Sequence, residues 1–282
     1  MIRLCAFADE ADGKLEGQIA AMRRNGISLL EARNINGKNV QDLTLDEAKA
    51  YCKLLKENGI RVWSIGSPLG KVDIDVDFAE YAKKVAHVCE IARAFETDKI
   101  RMFSFFNAFE KKQEVFARLQ KMVDIARSYN VELYHENEKG VYGDTLARVM
   151  EIMENVDGLK YIYDPANFIQ ERQSADETLA ALHAKTDYFH IKDVIEKTQE
   201  LVPAGYGDGK IAELVARITG DKVLTIEPHL AVFDGYAAID DREMKNKFHF
   251  RSNVEAFDAA VNALKDILKK NGYEETEGGY VK

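Results

Sequence analysis

The chain alternates between short strand-like runs and helical stretches along its whole length, and this repeat constrains the fold most. Eight runs rich in β-branched and aromatic residues recur at intervals of roughly 25 to 40 residues. They are RLCAFA (3–8), SLLEAR (28–33), RVWSIG (61–66), KIRMFSF (99–105), VELYHE (131–136), LKYIYD (159–164), DYFHIK (187–192) and VLTIEP (223–228). Between them, apolar residues recur at spacings of three and four. This alternation predicts parallel strands joined by right-handed helical crossovers.

Eight strand–helix units in 282 residues predict an α/β fold, a closed (β/α)8 or TIM barrel. A doubly wound open sheet is the alternative. No linker-like break in composition divides the chain, so we expect one barrel domain over residues 1–273. Residues 274–282 are polar and contain glycine, and we expect a loosely held C-terminal tail. Gly26, Gly59 and Asn130 occur where helix C-caps are expected.

Charge and cysteine content restrict the partners and the compartment. The chain has 39 Lys and Arg against 48 Asp and Glu, a net charge of −9, so we expect no nucleic acid partner. No stretch approaches the roughly 18 apolar residues of a membrane helix, so no membrane partner is expected either. Cys5, Cys52 and Cys89 are widely spaced and predict reduced thiols in a cytoplasmic protein. A homodimer or higher homo-oligomer is left open.

The last four predicted strands share an unusual feature, a polar side chain at or near the end of each. These residues are Glu136, Asp164, His190 and Glu227. Active sites of parallel barrels lie at the C-terminal ends of the strands, and one inward register per strand would bring all four together. Pro165 and Pro228 directly follow the second and fourth, which holds these two carboxylates in extended geometry where strand pairing stops.

Three converging carboxylates predict a cation. At about 4 Å and an effective dielectric constant near 20, each pair of carboxylates repels by about 4 kcal/mol, and a divalent ion reverses the sign. Three carboxylates and one imidazole favour Mn²⁺, Mg²⁺, Co²⁺ or catalytic Zn²⁺ over a structural thiolate site. Taken singly, each residue has an ordinary interpretation as a solvated acid or a core histidine. The four together predict a metal site.

Other polar residues near these strand ends receive less specific interpretations. Alternation places His135 on the face opposite Glu136, which predicts a packing role or a contact behind the ligands. Glu138 follows the strand, and we expect it to be solvated or at the pocket rim. The stretch GYGDG (205–209) lacks the phosphate-binding glycine spacing and predicts a flexible loop.

Five segments carry a resemblance to a known family. They are HEN (135–137), DPANF (164–168), HIKD (190–193), PAGYGDGKI (203–211) and IEPH (226–229). In these segments the chain resembles the sugar phosphate isomerase/epimerase superfamily, the xylose isomerase-like TIM barrels, and the resemblance extends over all eight units. It implies that Glu136, Asp164, His190 and Glu227 bind one divalent metal ion, with Mn²⁺ as the first expectation and Mg²⁺, Co²⁺ or Zn²⁺ as alternatives. It also implies that Glu136 and Glu227 are the catalytic acid–base pair.

By this resemblance the chain is a cytoplasmic enzyme of carbohydrate metabolism, a metal-dependent sugar isomerase or epimerase. Its substrate would be a small carbohydrate, a ketose, an inosose or a related polyol, and a proton would be transferred through a metal-bound cis-enediolate. The alternatives are a metal-dependent dehydratase of an inosose-type substrate, an AP endonuclease-like phosphodiester hydrolase and a non-catalytic sugar-binding barrel. Net negative charge disfavours the endonuclease, and the intact four-residue set disfavours the non-catalytic barrel.

The sequence departs from the family pattern at two positions near the substrate. Many relatives carry histidine where this chain has Asn167, and many carry an acidic residue where it has Tyr206. The sugar, and whether it is phosphorylated, is therefore left open. We expect substrate contacts from a set of polar residues near the strand ends, namely Lys192, Asn167, His229, Glu31 and Arg33.

Overall fold

The computed structural model describes residues 1–233, 236 and 244–282, and a closed parallel barrel dominates it. Its strands are β1 (Ile2–Ala6), β2 (Leu29–Ala32), β3 (Arg61–Ile65), β4 (Lys99–Met102), β5 (Glu132–Glu136), β6 (Lys160–Tyr163), β7 (Tyr188–Ile191) and β8 (Lys222–Ile226). Each strand pairs with the next in parallel, and β8 pairs with β1 from Lys222 opposite Ile2 to Ile226 opposite Ala6. This closure confirms the (β/α)8 prediction and excludes the open sheet.

Helices follow every strand and surround the barrel. They are α1 (Leu15–Arg24), α2 (Leu45–Glu57), α3 (Phe78–Ala94), α4 (Lys112–Ser128), α5 (Leu146–Asn155), α6 (Pro165–Gln170), α7 (Ala175–Leu182), α8 (Ile211–Arg217) and α9 (Asn253–Lys270). Thr44 and Glu47 form a capping box that begins α2. Gly26, Gly59 and Asn130 adopt positive φ directly after helices, as the C-cap prediction requires. In the part of the chain that the structure describes, no helix is both long and apolar enough to cross a membrane.

The loops between the barrel strands and the helices contain short strands and 3₁₀ turns. Two-residue strands form hairpins at Asn34–Ile35 with Lys38–Asn39, and at Asp193–Val194 with Leu201–Val202. Single 3₁₀ turns occur at Ala8–Glu10, Val40–Asp42, Tyr142–Asp144 and His183–Lys185.

The barrel interior contains an apolar layer, and its composition shows which strand faces point inward. This layer consists of Cys5, Leu29, Tyr134, Ile162, Tyr188 and Val223, with Trp63 packed against it. A larger apolar cluster lies between the outer faces of the strands and the helices. Because side chains alternate along a strand, Glu136, Asp164 and His190 continue the same inward columns two residues later. The barrel therefore directs these polar groups to its interior.

The Gly-rich stretch 205–209 is more ordered than its composition predicted. The buried Asp193 carboxylate accepts hydrogen bonds from the backbone N–H groups of Gly205, Gly207 and Gly209 at 2.8, 3.1 and 2.8 Å. A Cβ on Gly207 would lie 2.4 Å from Asp193 Oδ1, so the close approach requires glycine. The prediction of a flexible loop is wrong because one buried carboxylate holds three amides of the stretch.

The C-terminal segment 274–282 forms a β-hairpin and is not the loosely held tail that its polarity predicted. Glu274–Thr276 pairs antiparallel with Gly279–Val281, and Tyr280 pairs with Ile2 of β1. The exposed residues of the first strand explain the polar composition. Tyr280, only 6% exposed, anchors the second strand to the barrel.

We expect Tyr280→Ala to lower the free energy of unfolding by about 3 kcal/mol, because it removes a buried aromatic side chain from the barrel. Its neighbour Val281 is 38% exposed, so Val281→Ala should change stability by less than about 0.5 kcal/mol. Urea denaturation of both variants measures the difference. Equal, small effects would show that the hairpin does not stabilise the barrel.

Candidate active site and metal centre

Four polar side chains from the last four barrel strands converge inside the barrel mouth. Glu136 ends β5, Asp164 directly follows β6, His190 lies in β7 and Glu227 directly follows β8. One ligand-type atom of each lies within 4.8 Å of the others, and all four side chains are buried. The structure thus brings together the residues that the sequence predicted as metal ligands. Their binding of a metal stays a prediction.

Asp164 uses one carboxylate oxygen to cap a helix and directs the other to the site. Its backbone is extended before Pro165, as predicted. Oδ1 accepts hydrogen bonds from the N–H groups of Ala166 and Asn167 at 2.8 and 3.1 Å, which begins α6. Oδ2 lies 2.9 Å from Lys192 Nζ but accepts no well-aligned hydrogen bond. Burial raises the pKa of Asp164 to about 6, although Lys192 opposes the rise.

The two nitrogens of the His190 ring face different carboxylates. Nδ1 lies 3.0 Å from Glu136 Oε1 and 3.0 Å from Glu227 Oε2. Nε2 lies on the other side, 3.2 Å from Glu31 Oε2. Burial opposes protonation of His190, but the carboxylates of Glu136 and Glu31 outweigh it and raise its pKa well above the usual range. The imidazole is therefore in a field that attracts positive charge.

Glu31 lies behind His190 and binds it from β2. Its Oε1 accepts a hydrogen bond from the Tyr188 hydroxyl at 3.0 Å, and its Oε2 accepts one from the Thr225 hydroxyl at 2.9 Å. When Nε2–H of His190 donates to Glu31, the lone pair of Nδ1 points to Glu136 and Glu227. Glu31 thus favours the neutral tautomer that His190 would need to bind a metal through Nδ1.

Arg101 is a buried cation that the sequence analysis missed. Its Nη1 lies 3.2 Å from Glu136 Oε2 and 3.7 Å from Glu227 Oε1, and its Nη2 donates to the Gly66 carbonyl at 3.0 Å. A signal was present in the sequence, because an arginine inside the apolar run KIRMFSF must find carboxylate partners when buried. Arg101 bridges the two glutamates that the family resemblance marks as the acid–base pair.

The five predicted substrate contacts all have protein partners in the site. Glu31 contacts Tyr188, His190 and Thr225, as described above. Lys192 pairs with Asp164, and Asn167 Nδ2 donates to the Asn137 carbonyl at 2.9 Å. Arg33 pairs with Asp9, Glu10 and Glu227, and His229 Nε2 lies 3.5 Å from Glu227 Oε1. Substrate contact by any of these residues stays a prediction.

Buried acidic and basic side chains form a network around the site. Among the residues that the structure describes, its seven buried carboxyl groups belong to Asp9, Glu10, Glu31, Glu136, Glu138, Asp164 and Glu227, and their cationic partners include Arg33, Lys71, Arg101, Lys192 and His190. Burial raises the pKa of Glu10 to about 8. Burial disfavours the charged form of Glu227, but Lys192 and the imidazoles of His190 and His229 outweigh it and lower its pKa well below the usual range. The three carboxylates of the four-residue group lie within 4.8 Å of one another, and a divalent cation would reverse their repulsion.

Two residues near Glu136 test the predictions made for this stretch, and Glu138 differs from its prediction. His135 lies on the opposite face, against the Tyr161 ring, and burial lowers its pKa to about 3. Glu138, which we expected to be solvated, is buried and lies 2.7 Å from Lys71 Nζ. Burial acts to raise the pKa of Glu138, but Lys71 outweighs it and lowers the pKa to about 2. The solvated interpretation is wrong because a distant loop supplies a cation.

The chain matches a known protein family and a set of solved structures. The model of the family described as the xylose isomerase-like TIM barrel matches residues 19–272. The chain belongs to this family. No curated protein matches the sequence significantly. Solved structures also match the chain in fold.

Three of these solved structures illustrate the range of the fold. D-allulose 3-epimerase from Methylomonas sp. matches with a TM-score of 0.72 and 14% identity over 96% of this chain and 98% of that chain. A probable 3-DHS dehydratase from Bacillus anthracis matches with a TM-score of 0.70 and 16% identity over 94% and 99%. The IOLI protein, solved with a zinc atom, matches with a TM-score of 0.70 and 16% identity over 95% and 99%. At these identities the matches show the shared fold.

We expect Glu31→Gln to weaken metal binding roughly 10- to 100-fold, because the amide no longer fixes the protonated Nε2 of His190 with a charged acceptor. Glu132→Gln, at the exposed start of β5, makes the same chemical change away from His190 and should leave the affinity unchanged. Calorimetric titration with Mn²⁺ measures both. Unaltered affinity in folded Glu31→Gln protein would contradict the role of Glu31.

Proposed function

We propose that the protein is a divalent-metal-dependent isomerase or epimerase that acts on a small carbohydrate such as a ketose or an inosose. The observation that carries this proposal is the convergence of Glu136, Asp164, His190 and Glu227 within 4.8 Å in the barrel mouth. Membership of the xylose isomerase-like family supports it, as does the likeness in fold to D-allulose 3-epimerase.

The four side chains fit a divalent metal ion. Asp164 Oδ2 and Glu227 Oε2 are buried and accept no well-aligned hydrogen bond, so each has a lone pair available. Three oxygen donors and one imidazole match the ligands preferred by Mn²⁺, and Mg²⁺, Co²⁺ and Zn²⁺ also accept them. The convergence of three carboxylates within 4.8 Å favours the same occupant, because a divalent ion reverses their repulsion. We propose one ion, with Mn²⁺ foremost.

The metal would supply Lewis-acid polarisation of the substrate carbonyl and its neighbouring hydroxyl, which acidifies the proton on the carbon between them. Glu136 and Glu227 extend from β5 and from the end of β8, and one oxygen of each lies 3.0 Å from His190 Nδ1. One glutamate removes the proton, and the other returns a proton from the opposite face. Return to the other face inverts the carbon, whereas return to the neighbouring carbon moves the carbonyl.

Fixed cations support this proton transfer. The guanidinium of Arg101 lies near both Glu136 and Glu227, so it compensates whichever carboxylate bears the charge as the proton moves. Lys192 holds Asp164 in place and keeps Glu227 ionised. These groups are preorganised by burial and need no rearrangement during the reaction.

We expect the protein, loaded with Mn²⁺, to exchange a carbon-bound proton for deuterium in ketose or inosose substrates in D₂O. Glu136→Gln and Glu227→Gln should each slow exchange by roughly 10²- to 10⁴-fold, because each removes a proton-transfer group. Glu132→Gln is the matched control and should retain exchange. Mass spectrometry of a substrate panel measures incorporation. No exchange with any substrate, with metal bound, would contradict the proposal.

The same experiment separates the related alternative. A dehydratase would release water from the same deprotonated substrate, so its product would lack the mass of one water molecule. The fold likeness to a probable 3-DHS dehydratase keeps this reaction as the second candidate. Cleavage of abasic DNA would instead indicate the endonuclease reaction.

We expect metal removal to destabilise the protein. An ion at about 100 times its dissociation constant should raise the free energy of unfolding by about 2.7 kcal/mol, because only the folded protein assembles the four ligands. Asp164→Asn should lose most of this increment, whereas Asp176→Asn, an exposed aspartate of α7, should keep it. Thermal unfolding with Mn²⁺ and with EDTA measures the increment. Equal increments in both variants would exclude Asp164 as a ligand.

A further inference from the structure

A second group of ligand-type side chains adjoins the first and shares Glu227 with it. Glu10, from the 3₁₀ turn after β1, lies with Glu227 and His229, and one ligand-type atom of each lies within 4.8 Å of the others. All three are buried. Carboxylate oxygens and imidazole nitrogens are donor types that zinc accepts, and catalytic zinc sites use three protein ligands. The second group therefore has the donor set of a metal site.

The histidine of this group has a nitrogen available and a backbone held in place. His229 Nε2 is buried, 3.4 Å from Glu10 Oε1 and 3.5 Å from Glu227 Oε1, and makes no well-aligned hydrogen bond. The backbone of His229 adopts φ 47°, which is unusual for a residue with a side chain. Its N–H donates to Glu10 Oε2 at 2.8 Å and its carbonyl accepts from Asn246 Nδ2 at 3.0 Å. These bonds hold the ring against the two carboxylates.

The Arg33 guanidinium occupies the position next to these ligands. Nη1 lies 2.9 Å from Glu227 Oε1 and Nη2 lies 3.2 Å from Glu10 Oε1. Nε and Nη2 also pair with both oxygens of Asp9, at 2.9 and 3.0 Å. The rings of Phe7 and Phe233 lie 4.3 and 4.8 Å from the guanidinium carbon, so Arg33 is fixed on several sides.

We propose that Arg33 is a built-in cation in a second metal-ligand group and restricts the active site to a single ion. The inference rests on the proposed function, in which one ion binds the first group. Glu227 then divides its oxygens, with Oε1 engaged by Arg33 and Oε2 facing His190 and the first group. A guanidinium neutralises charge, but it cannot coordinate or activate a water molecule as a second ion would. The site is thereby suited to proton transfer and unsuited to two-metal phosphodiester hydrolysis.

The test removes Arg33 without leaving an additional uncompensated charge. Asp9 pairs with Arg33 but does not belong to the second ligand group, so Arg33→Met combined with Asp9→Asn deletes one cation and one anion together. Glu10, Glu227 and His229 remain. The matched control adds Glu10→Gln, which removes one ligand of the second group. Far-UV circular dichroism verifies the fold, and elemental analysis with titration of ZnCl₂ counts bound zinc.

We expect one zinc equivalent in the wild type, two in the double variant and one in the triple variant. A folded double variant that still binds one equivalent would overturn the proposal. If the double variant does not fold, zinc binding by the wild type and by Glu10→Gln alone tests the proposal. A second zinc equivalent that is lost on Glu10→Gln alone overturns the proposal, and a single equivalent unaffected by Glu10→Gln supports it.

The outcomes separate this inference from the proposed function. A wild type that binds no zinc or Mn²⁺ contradicts the proposed single-ion site. In that case, an equivalent gained in the double variant and lost in the triple variant still shows that Arg33 excludes an ion from the second group.

Discussion

Closure of the barrel is the constraint on which the site depends. A closed sheet gives each strand one inner face, and alternate residues of that face fall in the same column. Tyr134, Ile162 and Tyr188 belong to the apolar layer inside the barrel. Polar residues two positions later lie on the same inner face, in the barrel mouth above that layer. Burying Glu136, Asp164 and His190 together is therefore a consequence of the same alternation that builds the core.

Buried carboxylates need partners within the protein, and in Asp164 and Glu227 the two oxygens have different partners. Asp164 gives Oδ1 to the first turn of α6, and Glu227 gives Oε1 to Arg33. Each keeps its other oxygen directed to the four-residue group. Glu31, in contrast, gives both oxygens to protein donors, so it positions His190 and does not compete for a cation. This division preorganises the ligands before any ion binds.

The features that could be predicted from the sequence depend on local periodicity. The barrel follows from the repeated strand–helix units, and the convergence of the four residues follows from alternation plus the location of barrel active sites. The errors all involve a distant partner. Glu138 is buried because Lys71 reaches it, and the segment 274–282 is ordered because Tyr280 pairs with Ile2. Local patterns cannot reveal such partners.

Buried charge offered a signal that was not used. Arg101 in an apolar run and Asp193 before a Gly-rich stretch both require partners when buried, and each organises a group of neighbours. Charged residues inside strand-like runs are therefore the most informative positions to inspect in a barrel of this kind. They indicate where the chain must compensate charge, although they do not identify the partner.

Glu227 belongs to both groups of ligand-type side chains. It lies between fixed cations, with Arg33 on one oxygen and His190 with the proposed ion at the other. A carboxylate held in this way can lose or gain a proton without moving, because Arg33 and Arg101 stay in place whichever charge it bears. Two-metal hydrolysis of a phosphodiester would instead use a second ion to activate water, and in the proposed arrangement Arg33 takes the place of that ion beside Glu10 and Glu227. Under this proposal, the side chain that neutralises the neighbouring carboxylates also favours proton transfer over two-metal hydrolysis.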